Sequence, residues 1–270
     1  MALIDINFHS MTLGKHQTFK VILPEQQDMF QPEKSVKRLR TLLLLHGLSS
    51  DDSMFSRYTN VEMYANTHNL AVIMPNADHS FYQNMKYGHS YYDHVLEVWR
   101  YAHQVLPLSW KREDNYVAGN SMGGFGAFHF AMNEPQLFEK AVMMSAALDM
   151  NASFIDYDWY DFDGRAVFGD IDDISETAMD TRYTIDYALR KHGIGKLPKL
   201  YFMCGTEDDL IERTDSFIQY LKTINVPHKY DREPGEHNWS YWDKGIRKAI
   251  DWIFEDKTVD TDNQIMNWVG

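Results

Sequence analysis

Six runs of strand length, most of them apolar from end to end, recur along this chain with helix-period stretches between them. That alternation constrains the fold more than any other feature. The runs are 41-TLLLLHG-47, 70-LAVIMP-75, 115-NYVAG-119, 140-KAVMMSA-146, 199-KLYFMCG-205 and a less apolar last one, 228-HKYDRE-233. A strand that is apolar without alternating must be covered on both faces, which predicts a mostly parallel sheet between helices. The helices follow from spacing: Tyr92, Val95, Leu96, Trp99, Ala102 and Leu106 share one face. Phe217, Ile218, Leu221 and Ile224 share another, and Trp242, Ile246, Ala249, Ile250 and Ile253 a third. Ahead of the first run, Ile4, Ile6 and Phe8 alternate with polar neighbours, as do Phe19, Val21 and Leu23 after a turn at Gly14, predicting an antiparallel pair. Residues 150–198 are too long for an ordinary crossover and are expected to make an excursion over the top of the sheet, helical near 180–191. No repeat or linker divides the 270 residues, so they read as one α/β domain, 1–270.

Charge narrows the partners. With 26 Lys and Arg against 39 Asp and Glu, the net charge of −13 works against binding nucleic-acid phosphates or anionic lipid, and favours a small diffusible substrate. A single cysteine, Cys204, excludes an intrachain disulfide or a thiolate zinc cage and suits a reducing compartment. Asp5 and His9 interrupt the opening residues where a secretory leader would be apolar, and the aliphatic runs Leu42–Leu45 and Leu70–Met74 are too short to span a bilayer. The expectation is a cytoplasmic protein with no membrane or nucleic-acid partner; a homo-oligomer is compatible with it.

In parallel α/β sheets, sites form beyond the carboxyl ends of the strands. After the strand ending at Gly119 comes Gly119-Asn120-Ser121-Met122-Gly123, then a helix-compatible run. Gly-x-Ser-x-Gly arises by chance in roughly one chain in twenty of this composition, so its place between strand and helix carries the weight. A serine in that tight turn projects from the sheet, and the helix behind it directs N–H groups at developing negative charge. The bland alternative is a glycine-rich turn that packs helix on strand. A nucleophilic serine needs a base and a carboxylate to orient it. Of the 12 histidines, His228 opens the last strand, at the wrong end of the sheet, whereas His237 follows that strand's carboxyl end and is the expected base. His89 and His94 are expected to approach the pocket without doing chemistry. For the acid, 205-GTEDDL-210 offers Glu207, Asp208 and Asp209, with Asp149 a less favoured alternative; the residues themselves leave Asp208 and Asp209 open. The oxyanion donors are expected to be the backbone N–H groups of Met122 and of Leu48, in 46-HGLSSDD-52, where His46 reads as a turn-stabilising residue.

Other signals have bland readings. Asp156, Asp158, Asp161, Asp163 and Gly164 suggest a calcium loop, but with Gly164 sixth the first position is Trp159 and the twelfth Asp170, so a solvated face is expected. Cys204 reads as core. Phe81, Tyr82 and Tyr87, with Trp159 and Trp239, either line a pocket for an acyl chain or ring, or pack a long loop onto the sheet.

HGL after the LLLL strand, FYQNMKYGHSYYDHV, GNSMGGFGA, CGTEDDL and EHNW, in this order, resemble the tributyrin-esterase and esterase-D-like group of α/β-hydrolases, with S-formylglutathione hydrolases and feruloyl and acetyl-xylan esterases among its members. The resemblance runs from the His-Gly loop to the last helix. It implies an α/β-hydrolase fold, a twisted sheet of about eight strands with helices on both faces. It also implies that Ser121 is the nucleophile, His237 the base and Asp208, over Asp209, the acid, with Leu48 and Met122 holding the oxyanion. The loop 48-LSSDDSMF-55 lacks the second glycine frequent in relatives, and the acidic aromatic stretch at 153–164 bears on the leaving group. The expected activity is a serine carboxylesterase on short-chain acyl esters, needing neither metal nor cofactor. The alternatives are an S-formylglutathione-type thioesterase, a feruloyl or acetyl-xylan esterase, or a non-catalytic binding module on the same fold.

Overall fold

The computed structural model describes residues 1–150, 162–170, 174, 175 and 177–259. Eight strands make one sheet: β1 (Ala2–Ser10), β2 (Lys15–Leu23), β3 (Arg40–Leu45), β4 (Leu70–Pro75), β5 (Asn115–Asn120), β6 (Lys140–Met144), β7 (Lys199–Gly205) and β8 (His228–Glu233), in the order β1-β2-β4-β3-β5-β6-β7-β8. The expected antiparallel pair is β1 with β2, and β2 also runs antiparallel to β4; every other pairing is parallel. The unbroken apolar runs are the fully buried strands β4, β5 and β6, whereas β8, at the edge, is partly exposed and correspondingly polar.

The helices are α1 (Met54–Tyr58), α2 (Val61–Thr67), α3 (Tyr91–Val105), α4 (Met122–Asn133), α5 (Gly164–Phe168), α6 (Thr181–His192), α7 (Ile211–Thr223) and α8 (Trp239–Phe254). Alternate strand residues feed two cores. Val117, Ala141 and Phe202 point to the layer of α3, α4, α6 and α7, and Tyr116, Val142 and Tyr201 to that of α1, α2 and α8. Lys140, fully buried, closes the end of α8: its Nζ donates to the Trp252 and Ile253 carbonyls at 2.9 and 3.1 Å and to Asp256 at 3.0 Å. A cation there satisfies the last-turn carbonyls and faces the negative end of the helix dipole. The expected helix near 180–191 is α6, capped by the Asp180 carboxylate on the Tyr183 N–H. None of the helices among the described residues is long and apolar enough to cross a membrane.

Strand order reverses across β4-β3-β5, and this positions the site. β3 and β5 are neighbours, with Leu45 opposite Gly119, so the loops leaving their carboxyl ends emerge side by side.

Candidate active site

Ser121 links β5 to α4 with φ 53° and ψ −119°, a conformation that costs a non-glycine residue roughly 1–3 kcal/mol. The surroundings hold it there. Its N–H donates to the Met144 carbonyl at 2.9 Å, and its own carbonyl accepts from Phe125 at 3.1 Å and Ala147 at 3.2 Å. The two motif glycines are needed for closeness: a Cβ at Gly119 would overlap the Gly123 carbonyl, and one at Gly123 the Leu45 carbonyl. The first turn of α4 thus abuts the end of β3 directly.

His237 lies between β8 and α8, and its Nε2 accepts the Ser121 hydroxyl at 3.0 Å. Its Nδ1–H donates to the Asp208 carboxylate, 3.0 Å from both oxygens. Asp208 follows β7, is 2% exposed, and also accepts the Leu210 N–H at 2.9 Å. Burial alone would push its carboxyl up, but donors from His237, Leu210 and Ser145 outweigh it and hold the group below the ordinary carboxylate value. The other candidate carboxylates of that region sit in different surroundings. Asp209 is exposed, and Glu207, also exposed, accepts the Gly235 N–H at 2.7 Å. Asp149 forms a bidentate pair with Arg182, at 2.8 and 2.7 Å.

Met122 is the first residue of α4, where N–H groups have no acceptor within the helix. The Leu48 loop lies against it: a Cβ added at Gly47 would stand 3.5 Å from the Ser121 Cβ. His46 braces that loop. Its Nδ1–H donates to the Gly47 carbonyl at 2.8 Å, its Nε2 accepts the Ala77 N–H at 2.9 Å, and its carbonyl accepts the Tyr82 hydroxyl at 2.8 Å.

The aromatic residues divide differently from the pocket expectation. Tyr82 is fully buried under the His46–Leu48 loop, its ring against Gly126, so it supports the loop and lines no opening. Phe81, 3% exposed, packs its ring 5.4 Å from Phe125, 5.1 Å from Phe162 and 5.9 Å from Phe168. Tyr87 is 63% exposed, its backbone N–H held by Ala166. Trp239, half-buried, stacks on Tyr58 and stands edge-on to Trp242. Trp159 lies outside the described residues, as do Asp156, Asp158 and Asp161; Asp163 caps α5, and Asp170 pairs with Arg165. His94 departs from the expected approach to the pocket. It turns toward β1, where Ser10 meets its Nδ1 at 3.0 Å and Phe8 stacks on it, while His89 is exposed. Cys204 is buried, and burial raises its thiol to about 12.

Sequence reasoning missed Ser145. The apolar run extends through it, but β6 stops at Met144 because Ser145 adopts φ 45°. Its hydroxyl takes the Trp242 indole N–H at 3.2 Å.

Two buried histidines give the fold an acid limit. Burial pushes His46 down to about 4 and His129, in α4, down to about 3, from an ordinary 6.5. Between 6.5 and those values the unfolded chain binds protons that the fold refuses, so stability is complete above that window and falls as pH drops through it. Urea denaturation is expected to give a folding free energy roughly 3–4 kcal/mol lower at pH 5 than at pH 7.5 from this pair. An unchanged value would mean that the imidazoles are not held neutral.

Comparison with known proteins gives a consistent picture. The family model Esterase, described as "Putative esterase", matches residues 10–253. An acetyl esterase of Caldicellulosiruptor saccharolyticus is 28% identical over 267 residues, covering 94% of this chain and 98% of its own. FphF, a fluorophosphonate-binding serine hydrolase of Staphylococcus aureus, is 48% identical with a TM-score of 0.90, covering 93% of this chain and 98% of its own. A structure of the S-formylglutathione hydrolase FrmB from the same organism has the same identity and coverage at a TM-score of 0.86. A ferulic acid esterase shares the fold at 20% identity and a TM-score of 0.79. Matched along nearly its whole length, the chain belongs to this esterase family, has the α/β-hydrolase fold, and is a carboxylic-ester hydrolase.

Proposed function

We propose that this protein is a serine carboxylesterase acting on short-chain acyl esters through Ser121, His237 and Asp208. The observation that carries the reading is the unbroken hydrogen-bond line from the Ser121 hydroxyl through both nitrogens of His237 to the buried Asp208 carboxylate, every step 3.0 Å. His237 takes the proton as Ser121 attacks the ester carbonyl, and Asp208 fixes the tautomer and stabilises the imidazolium. The N–H groups of Leu48 and Met122 receive the oxyanion. His237 then returns its proton to the departing alcohol, and water attacks the acyl-enzyme with the same base. None of these steps calls for a metal or an organic cofactor.

Two features support a short acyl group and a neutral leaving group. The rings that could have walled an acyl channel, Phe81, Phe125, Phe162 and Phe168, are packed against one another. The opening next to Leu48 is lined by Ser49, Ser50, Asp51, Met54, Asn76, Asp78 and His79, and its two carboxylates suit an uncharged alcohol better than an anionic one. The second reading is a thioester of the S-formylglutathione type, favoured by the 48% identity to FrmB. The net charge of −13 and the single buried thiol support a small-molecule substrate and a cytoplasmic location.

The test joins labelling to a substrate panel. A fluorophosphonate probe is expected to modify the folded protein once, on Ser121, and kcat/KM is expected to fall from p-nitrophenyl acetate and butyrate to the octanoate and methyl ferulate. S-Formylglutathione turned over faster by orders of magnitude would replace the ester reading with the thioester one. Absence of any adduct would favour a binding module.

A further inference from the structure

We propose that His46 and Tyr82 are positioning residues for the oxyanion hole, and that together they aim the peptide whose N–H receives the developing charge. The proposal rests on the reading of the Leu48 N–H as an oxyanion donor, and accounts for what directs it. Leu48 is 8% exposed, and among the described residues its N–H meets no acceptor. A largely buried N–H without a partner is uncommon, and beside a nucleophile it is what an oxyanion site requires. The Gly47 carbonyl and the Leu48 N–H belong to one trans peptide unit, so they lie in one plane and point in opposite directions. Whatever fixes that oxygen fixes the N–H.

The His46 ring does so. A backbone N–H can only donate, and that of Ala77 lies 2.9 Å from Nε2, so the proton of the neutral ring sits on Nδ1 and is donated to the Gly47 carbonyl at 2.8 Å. The same bond draws charge through the amide and makes the Leu48 N–H a stronger donor. Tyr82 holds the preceding peptide. Its hydroxyl donates to the His46 carbonyl at 2.8 Å, an oxygen that would stand 2.7 Å from a Cβ at Gly123, in the first turn of α4. The Tyr82 ring fills the space that a Cβ at Gly126 would need, with its nearest atom 2.5 Å away. Tyr82 thus joins the loop that carries one donor to the helix that follows the nucleophile and carries the other, Met122. Phe81 and Tyr82 hold this strut in place at φ 50° and 56°, a region that bulky residues rarely occupy, and the Tyr82 N–H is tied to the Ser80 hydroxyl at 3.1 Å.

Tyr82→Phe removes a hydroxyl and leaves the ring in its slot. It is expected to lower kcat on p-nitrophenyl acetate roughly 10-fold with KM within about twofold, since the donor is loosened and not lost. His46→Ala frees the peptide to turn and is expected to cost roughly 100-fold in kcat, the lower end of the loss of one oxyanion donor. His46→Asn, whose side-chain NH₂ stands where Nδ1 stood and can donate to the Gly47 carbonyl, is expected to recover most of that loss. An alkyl trifluoromethyl ketone, whose hemiketal oxygen on Ser121 occupies the oxyanion position, should bind each variant more weakly by about the factor lost in kcat/KM. Parent-like kcat in Tyr82→Phe and His46→Ala would overturn the proposal. So would a loss of kcat with ketone affinity unchanged, or a His46→Asn no better than His46→Ala, since packing damage alone gives those results. Where His46→Ala does not fold, Tyr82→Phe carries the test through its kcat and its ketone affinity. Replacing Leu48 by its α-hydroxy acid, which puts an oxygen in place of that N–H, tests the underlying reading. An unchanged kcat there ends the oxyanion role of Leu48 and this inference with it; a loss of roughly 100-fold or more beside parent-like Tyr82→Phe and His46→Ala ends this inference alone.

Discussion

Purified Ser121→Ala is expected to fold like its parent and to lose roughly 10⁵ to 10⁶ in kcat on p-nitrophenyl acetate, as triad enzymes do when the nucleophile is removed. The loss should fall on kcat, with KM changed little, because Ser121 enters the chemistry through one atom. That atom is the Oγ held 3.0 Å from His237 Nε2. The groups proposed to bind and polarise the carbonyl are the backbone N–H groups of Leu48 and Met122, which alanine leaves in place. The strained turn also survives: its hydrogen bonds to Met144, Phe125 and Ala147 involve only the main chain of residue 121, and alanine pays a cost at φ 53° similar to that of serine. A thermal midpoint near the parent's, measured on the same preparation, makes the kinetic loss interpretable. Residual hydrolysis above the uncatalysed rate is expected from the oxyanion N–H groups. Turnover within tenfold of the parent would remove Ser121 as nucleophile, and with it the acyl-enzyme.

The parts of this site that could be read from the sequence are those fixed by strand polarity and spacing. β4, β5 and β6 are legible because a strand covered on both faces is apolar through its middle, with buried polar residues such as Asn115 and Lys140 only at its ends, and each ends in a loop whose direction the parallel arrangement dictates. That logic selects Ser121 at the end of β5 and His237 after β8, and rejects His228 at the other end of β8. The antiparallel pairing of β2 with β4 is not legible, because it joins segments separated by a third strand in sequence. Nor are α1 and α2, of five and seven residues, long enough to show a helical period. Aromatic composition is equally silent on location: Tyr82 under the His46–Leu48 loop and Tyr87 in solvent come from one stretch of chain, and only the fold separates them. Ser145 is invisible for a related reason. A serine ending an apolar strand looks like any strand terminus until Trp242, 97 residues away, is brought to its hydroxyl.

The choice between Asp208 and Asp209 belongs to the same class, since two adjacent carboxylates differ only in which way the turn aims them. Family resemblance favours Asp208, and the turn that ties the Asp208 N–H to the Gly205 carbonyl leaves Asp208 buried against His237 and Asp209 exposed. The expected consequence is a large asymmetry: Asp208→Asn lowers kcat by roughly 10⁴, and Asp209→Asn changes it by less than about threefold. The asparagine is nearly the same size as the acid, so the loss comes from hydrogen-bond polarity and charge. Its amide NH₂ can donate to His237 Nδ1, and an imidazole accepting there carries its proton on Nε2, facing Ser121. In that tautomer it cannot accept the serine proton, and the imidazolium formed in the transition state has lost its counter-charge. The Leu210 N–H still finds a side-chain oxygen, so the fold should tolerate the change better than the chemistry does. Kinetics of the two variants beside the parent decide the matter: if Asp209→Asn proves the more damaging, the acid has been assigned to the wrong neighbour, and the 3.0 Å contacts to His237 are structural.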